Sequence, residues 1–593
     1  MSGVSDVRRT AGKSAPSRPW AILLVVVCAQ MLIWLDTSIL NVAATTLADP
    51  VRGLGATPGE LEWISSAYTL ILASTLLAGG ALADRFGPRT TLLAGLALFG
   101  AASGAGAFAG SPAWLVVARA FMGAGSALLM PATLTIILQS TPEEKRTRAI
   151  AIWSLSSGLG VAVGPLAGGA LLSNFWWGSV FLVNVPIVAV CLAGVAAVVP
   201  KLGGARRQVL DLRGMALAVL GLSGLVYGII EIGNQETWYG PHVLLPVAVG
   251  GALLALFVGV QRTSPAPSLD LRLFRLPGFT AGCVVLLLAF MTLSGHLFAL
   301  AFYLQGPRGF SPLQAGTVMI APAVGIVLGS QASPMASRLL SARWAVAAGM
   351  LAMGVTYICY LWFDERTPTA VIVTLMGAQG AGMGLIGTPL TAAMMSRVPQ
   401  YLTGAGSAVS SVTPQVGGTL GVAMAGTILS GVYRERMAGA ALPDELSRLP
   451  PRSAEAARTS AEAARSLARS LRLPQLAENA NRAFLDAMYV AHFWLAVLAF
   501  AALAVCVVGL RVRVRGRHRR VLWPQEPAGE EPDPADADST ARQGTARKER
   551  KGWHDDSGNA PLGPGDRGKQ RDRAGHSPPL RGGRGPGHGD LPQ

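Results

Sequence analysis

Charge is scarce in this chain: Asp, Glu, Lys and Arg make up 14% of its 593 residues, against 51% hydrophobic. The charges fall between long apolar runs instead of being interspersed with them, which excludes a single soluble core. Cysteine is scarce too. Cys28, Cys191, Cys283, Cys359 and Cys506 stand singly inside apolar runs, with no C-x-x-C pair and no histidine at ligand spacing. That removes a disulfide framework and a thiolate metal site and leaves the five as packing residues. A phosphate-binding loop is missing as well, because Gly563-Pro-Gly-Asp-Arg-Gly-Lys569 lacks a Ser or Thr after its lysine and follows no strand pattern. With neither a nucleophile–base pairing nor a metal-ligand cluster, the chain is expected not to be an enzyme, to use no ATP and to carry no cofactor.

What the sequence has is repeated apolar length. A helix needs about 20 apolar residues to cross a bilayer. Segments of that kind can be drawn at 19–44, 60–81, 90–109, 113–138, 149–172, 178–199, 214–231, 242–260, 279–304, 313–334, 343–363, 369–393, 405–431 and 488–511. The expected fold class is therefore an all-α integral membrane protein of about fourteen spans. Arg8, Arg9, Lys13 and Arg18 precede the first segment, which is too long for a signal peptide and has no A-x-A-like cleavage site, so it is expected to be retained.

The net charge of +16 is explained by loop placement and does not call for nucleic acid. Alternating the loops puts Arg85, Arg89, Lys145, Arg146, Arg148, Lys201, Arg206, Arg207, Arg272, Arg275, Arg338, Arg343 and Arg397 on one side, together with the N-terminus. By the positive-inside rule both termini are cytoplasmic and the protein is multi-pass in the cell membrane. The loop 432–487 lies on the other side. It holds Ser453-Ala-Glu-Ala-Ala-Arg and Ser460-Ala-Glu-Ala-Ala-Arg, a near-repeat rich in helix formers between Pro450-Pro451 and Pro474, which predicts a small helical cap. Residues 1–18 are read as a cytoplasmic tail and 512–593, dominated by Gly, Pro, Arg and Asp without periodicity, as a disordered one.

Charged groups inside a bilayer are costly and usually functional. Among the carboxylates only Asp36 lies well inside a span; Glu231 is near the end of one, and Glu60 and Glu62 mark an entrance. Proton coupling needs a group that binds and releases a proton near working pH, and an acid in an apolar cavity is shifted toward that range. Asp36 is the candidate, with capping of a helix break at Asp36-Thr37-Ser38 as the alternative. Arg119 lies about six residues from the outer end of its span, roughly 9 Å deep, at a depth comparable to Asp36. If the two helices adjoin, an ion pair would lower the cost of both charges; hydrogen bonding to backbone carbonyls is the other role open to Arg119.

Three further groups of residues stand out. Gly80-Ala-Leu-Ala-Asp84-Arg85-Phe-Gly87-Pro-Arg89 combines a turn glycine, a potential helix-capping Asp84 and anchoring arginines, which suits a latch between helices. Gly160-Val-Ala-Val-Gly164-Pro165-Leu-Ala-Gly168-Gly169 offers close helix contact and a proline bend, which suits a helix that rocks against a neighbour. Trp63, Tyr68, Trp153, Phe302 and Tyr303 can supply aromatic walls for a flat ligand, and Asn41, Ser66, His296 and Gln415 polar contacts. His296 either assists proton movement or is a hydrogen-bonded packing residue near Ser294.

These residues resemble the major facilitator superfamily, specifically its fourteen-span drug:proton antiporters, over about residues 15–515. The loop from Gly80 to Arg89 is similar to the signature between spans two and three. Leu115-Val-Val-Ala-Arg119-Ala-Phe-Met-Gly123-Ala-Gly125 resembles the fourth-span motif assigned to proton coupling, and Gly160 to Gly169 the fifth-span antiporter motif. Leu35-Asp36-Thr-Ser-Ile-Leu-Asn41 resembles the first-span pattern of the fourteen-span exporters, and Leu269-Asp270-Leu-Arg-Leu-Phe274 their loop before span nine. The resemblance implies two six-helix halves at 19–199 and 266–511, two extra central helices within 200–265, and a central cavity opened alternately to each side.

Phe175-Trp-Trp-Gly-Ser-Val-Phe-Leu-Val-Asn184-Val-Pro186 is similar to the subgroup that exports quaternary ammonium compounds, dyes and methyl viologen. Ser66, however, stands about where those pumps carry an acid in span two, and the segment from Gly404 to Gly421 offers only Gln415. So few negative charges favour neutral, zwitterionic or amphipathic substrates over dications. The expectation is a monomeric exporter of antibiotics or other toxic organic compounds, driven by the proton gradient. An importer or uniporter on the same scaffold and a proton-translocating subunit of a redox complex are the alternatives. The redox reading requires several Lys, Glu and His within the spans, where His296 and His492 are the main ones.

Overall fold

The computed structural model of the chain describes residues 19–201, 211–234, 239–264, 269–399, 402–439 and 451–510. The expected tails at 1–18 and 512–593 lie outside them. The described residues form helices α1 (Pro19–Ala48), α2 (Pro58–Phe86), α3 (Pro88–Ala107), α4 (Pro112–Ser140), α5 (Glu143–Asn174), α6 (Ser179–Leu182), α7 (Asn184–Val198), α8 (Leu212–Asn234) and α9 (Pro241–Thr263). They continue with α10 (Pro277–Gln305), α11 (Pro312–Val318), α12 (Ala321–Leu340), α13 (Ala342–Cys359), α14 (Thr369–Met395), α15 (Thr403–Ala438), α16 (Pro451–Thr459), α17 (Ala461–Leu471) and α18 (Pro474–Gly509). Among the described residues twelve helical segments are long and apolar enough to cross a bilayer. A bent pair within 58–86 and a shorter apolar helix, Gly158–Asn174, accompany them.

Local chemistry explains the ends of these helices. Thr57 and Glu60 form a reciprocal capping box on α2, Ser311 and Gln314 do the same for α11, and Ser111 caps α4. Each satisfies backbone N–H groups that have no partner in the first turn. Two spans are broken for one reason: Pro186 and Pro322 have no N–H to offer the carbonyls of Leu182 and Val318, and α6 and α11 end at those residues. Gly87, at φ 87°, turns the chain between α2 and α3, a conformation that costs glycine little.

The N-terminal helices α1 to α7 share one hydrophobic core, and a second core lies wholly between Leu273 and Leu510. Helices α8 and α9 pair through Gly221, Gly224, Gly228 and Gly250, which leave no room for side chains between them. The pair attaches to the seam between α2 and α15, where Thr427 donates to the Ile229 carbonyl at 2.7 Å and Arg434 to that of Gly233. Much of α9 points outward, with Leu244, Leu245, Val249 and Leu256 exposed, a surface suited to lipid.

The structure adds detail to two sequence expectations and removes one alternative. Helix α18 begins at Pro474, ahead of the apolar segment at 488–511, and its first turns pack Leu476, Ala480 and Phe484 against the cap. The expected helical cap is formed by two helices, α16 and α17, with Ser460 capping the second half of the near-repeat. Helix α1 runs unbroken through Asp36, so that residue caps no helix break.

Candidate functional site

The N-terminal and C-terminal sets of helices touch near one end of the molecule, called here the cap end. There Gln305 Nε2 donates to the Val42 carbonyl at 3.0 Å and Arg469 lies 3.6 Å from Asp49. Gly169 and Pro165 of α5 meet Pro312 and Gly316 of α11 so closely that a side chain on either glycine would collide with backbone. Somewhat deeper, Thr69 and Thr419 share a hydrogen bond of 2.6 Å.

Below these contacts lies a cavity of about 770 Å³, lined by both sets of helices. It reaches Thr391, Ala392 and Ser410, toward the opposite end where Arg85, Arg89 and Arg397 sit. Its walls mix apolar residues such as Trp34, Phe290, Leu297 and Met383 with hydroxyl and amide groups, among them Thr37, Asn41, Ser65, Ser294, Thr388 and Gln415. Among the described lining residues Arg119 is the one charged side chain. A site of this size, mostly apolar with a few polar groups, suits an organic ligand of drug size.

Arg119 connects that cavity to a buried network. Its Nη1 lies 2.5 Å from Asp36 Oδ2, and its Nε donates to the Ile64 carbonyl at 3.1 Å. Both roles left open by the sequence are therefore filled at once. The guanidinium stacks over the Tyr68 ring at 4.3 Å, and the Tyr68 hydroxyl forms a hydrogen bond of 2.8 Å with the Ser126 hydroxyl. Asn184 Nδ2 donates to Asp36 Oδ1 at 3.0 Å and to Ser103 Oγ at 3.1 Å. Asp36 is fully buried and Arg119 nearly so. These seven residues come from five helices, α1, α2, α3, α4 and α7, held close by glycines: Gly123 abuts the Tyr68 backbone, and Gly125 abuts Gly95 and Phe99.

The Gly-Pro segment of α5 forms a seam with α1. Gly160 lies against Met31 and Trp34, Gly164 against Leu35 and Ser38, and Gly168 against Ile39, while Ser38 donates to the Gly160 carbonyl at 3.1 Å. Pro165 faces both the cavity and α11. In the Gly80–Arg89 loop, Arg89 donates to the Ala196 carbonyl of α7 at 2.7 Å. Gly80 lies near Pro131 of α4, and Arg85 rests on Phe86 at the surface. Asp84 is exposed and does not cap α3, whose N-cap is Gly87 with no side-chain bond.

Of the residues expected to wall the cavity, Asn41 and Gln415 do so. The others lie elsewhere. Trp63 packs on Tyr227 of α8, 6.2 Å between rings, and Trp153 donates to Thr133 at 3.2 Å between α5 and α4. Tyr68 is committed beneath Arg119, and Ser66 is buried while its neighbour Ser65 takes the lining position. Tyr303 donates to the Asp364 carbonyl at 2.7 Å in a cap-end loop.

His296 is paired with His492 at 2.9 Å, not with Ser294. His492 Nδ1 donates to the Met488 carbonyl at 2.8 Å, so its Nε2 accepts from His296. Tyr357 and Tyr360 pack their rings on this pair. Asn184, Ser103, Ser126, Trp34 and Phe290 were not foreseen. Glu62 is also misread by its place near a helix start: it is fully buried, and both carboxyl oxygens lack a hydrogen-bond partner.

A family model described as Major Facilitator Superfamily matches residues 26–422. The multidrug efflux pump LfrA of Mycolicibacterium smegmatis is 32% identical, over 86% of this chain and 99% of its own. The methyl viologen resistance protein SmvA of Salmonella typhimurium is 32% identical over 80% and 94%. The cephamycin export protein CmcT of Amycolatopsis lactamdurans is 36% identical over 72% and 88%. Among solved structures, a bacterial homologue of the human lysosomal transporter Spinster, in an inward-facing unoccupied conformation, superimposes with a TM-score of 0.57 at 17% identity, over 84% of this chain and 99% of that one.

Proposed function

We propose that this chain, which belongs to the major facilitator superfamily, exports an antibiotic or another toxic organic compound from the cell in exchange for protons. The observation that carries the reading is that Arg119 touches both the cavity and Asp36. A substrate that draws on the guanidinium weakens its hold on the carboxylate, and a proton on Asp36 frees Arg119 in turn. The two ligands are then linked through one side chain, as antiport requires. Relatives bearing the names of multidrug and antibiotic exporters support the substrate class.

The cavity narrows that class to neutral, zwitterionic or amphipathic compounds. No carboxylate is among its described lining residues, so a dication would lose its hydration without gaining a counter-charge there. We count fourteen spans by adding the bent α2 and the shorter apolar helix within α5 to the twelve long apolar segments, two of which are broken at Pro186 and Pro322. We read them as two six-helix halves, 19–199 and 266–511, with two extra helices within 200–265. The arginine-rich end is cytoplasmic, with both termini there, and the cap end is outside. On that orientation the cavity is reached from the cytoplasm, the state that loads an exporter. Pro165 and the seam of α5 on α1 serve the rocking motion, and the Gly80–Arg89 loop is a latch that tightens when the cytoplasmic end closes. The transporter works as a monomer in the cell membrane, driven by the proton gradient alone, without ATP or cofactor.

The test is substrate-induced proton release from the purified protein, comparing wild type with Asp36→Asn over a panel of antibiotics, dyes and quaternary cations. Release is expected from wild type with a compound that both proteins bind, and none from Asp36→Asn. Binding to wild type without release, for every ligand found, overturns antiport.

A further inference from the structure

Glu62 is the second carboxyl group buried in this fold, and nothing in the mechanism above uses it. It sits on α2 near the cap end, with no exposed surface and no hydrogen-bond partner on either oxygen. Its carboxyl group is pressed against α15 at Gly426, where any side chain would collide with it. This contact belongs to the seam along which the two sets of helices close the cap end, between the hydroxyl pair Thr69–Thr419 and the cap.

Among the described residues of α1, α2, α4, α8, α15 and the cap, the nearby charged and titratable groups have contacts of their own or are exposed. Glu60 completes the capping box that meets the N-terminal N–H groups of α2. On α1, Asp36 pairs with Arg119 and Asp49 with Arg469; on α4, Arg119 holds Asp36 and the Ile64 carbonyl. On α8, Tyr227 lies against Trp63 and Glu231 has a partner. On α15, Tyr433 donates to Ala457, Arg434 to Gly233, Arg436 pairs with Asp486, and Glu435 is exposed. In the cap, Glu462 pairs with Arg465. An ionised Glu62 would be a charge without a hydrogen-bond partner in a closed seam, which is costly. The neutral acid fits there at far lower cost.

A small cavity of about 40 Å³ adjoins the site. It is lined by Leu61 and Gly426 on one side and by Ser460 and Glu462 of the cap on the other, and it has room for water. It offers a proton a short step between the cap surface and the seam.

We propose that Glu62 is a second proton-binding site, distinct from Asp36, and that it controls the seam between α2 and α15: protonated, it lets the cap end close; ionised, it demands water and opens it. The proposal rests on proton-coupled export, since it gives outside protons a way to reset the transporter toward the cytoplasm.

The experiment places spin labels at Val51→Cys and Trp362→Cys, both exposed at the cap end, in full-length protein in lipid nanodiscs with Cys28 and Cys359 replaced by serine. Label separations are measured from acid to alkaline pH without substrate. In wild type and in Asp36→Asn the open-to-closed ratio is expected to rise with pH, by up to about tenfold per pH unit for one coupled group. Glu62→Gln is expected to stay closed throughout. Should Glu62→Gln fold poorly, Glu62→Met, which is of similar size and cannot ionise, is expected to behave alike. A pH response in either variant equal to wild type, or none in wild type, overturns the proposal. A Glu62-dependent response alongside absent substrate-induced proton release would instead overturn antiport and leave the seam switch standing.

Discussion

At Arg119 three interactions meet on one planar group: a charge pair with Asp36, a hydrogen bond to Ile64 and a stack on Tyr68. Lysine offers a point charge on a flexible stem and reproduces at most one of the three. Arg119→Lys is therefore expected to fold but to lose about 1–3 kcal/mol of local stabilisation. Substrate-driven proton release should fall about tenfold or more, which a stopped-flow pH indicator would register; release at the wild-type rate would mean that charge alone suffices. Asp36 and Arg119 were legible in the sequence because a charge in an apolar run stands out and helix rise gives its depth. Asn184 and Ser103 were not, because uncharged polar residues are common in membrane helices and nothing local says which of them faces a carboxylate. Glu62 was misread for a related reason: closeness to a helix end suggests exposure, but α15 and the cap cover that end.

Among the elements, α1 presents two faces to different surroundings. Trp34, Thr37, Ser38 and Asn41 recur at the spacing of one helical face and line the cavity, while Asp36 points to the opposite side, toward α4 and α7. The glycines of α5 are matched to α1, and Gly316 of α11 is matched to Pro165. A methyl group at position 316 would meet the Pro165 carbonyl, so α11 must move off α5. Gly316→Ala is expected to cost about 1–3 kcal/mol through overpacking and to loosen the cap-end seal. Backbone amides of 312–318 should then exchange hydrogen faster than in wild type, and unchanged exchange would show that the seam yields without opening. The Gly160–Gly169 seam was readable from glycine spacing; its partner Gly316 was not, because a lone glycine in a short helix carries no pattern.

At the scale of the whole molecule the cavity has one cationic group and no anionic one among its described lining residues. Substrate choice should therefore respond to added negative charge. Gln415→Glu, placed in the wall across from α1, is expected to improve resistance to the dication methyl viologen about tenfold relative to a neutral substrate, equivalent to about 1.4 kcal/mol. Ratios of inhibitory concentration in a susceptible host would measure this. An unchanged ratio would mean that the cavity charge does not select the substrate.

The sequence alone determined that the chain is helical and membrane-embedded, roughly where its spans run, and which single carboxylate and arginine lie deep in the first and fourth. Apolar length, charge asymmetry and glycine spacing are local properties that survive without knowledge of contacts. Tertiary structure alone decided which aromatic residues face the cavity, replacing Trp63, Tyr68 and Trp153 by Trp34 and Phe290. It also brought His296 to His492 across 196 positions and buried Glu62 against Gly426. Each of these depends on the rotation of a helix about its own axis, and in an apolar span only the neighbouring helices set that angle.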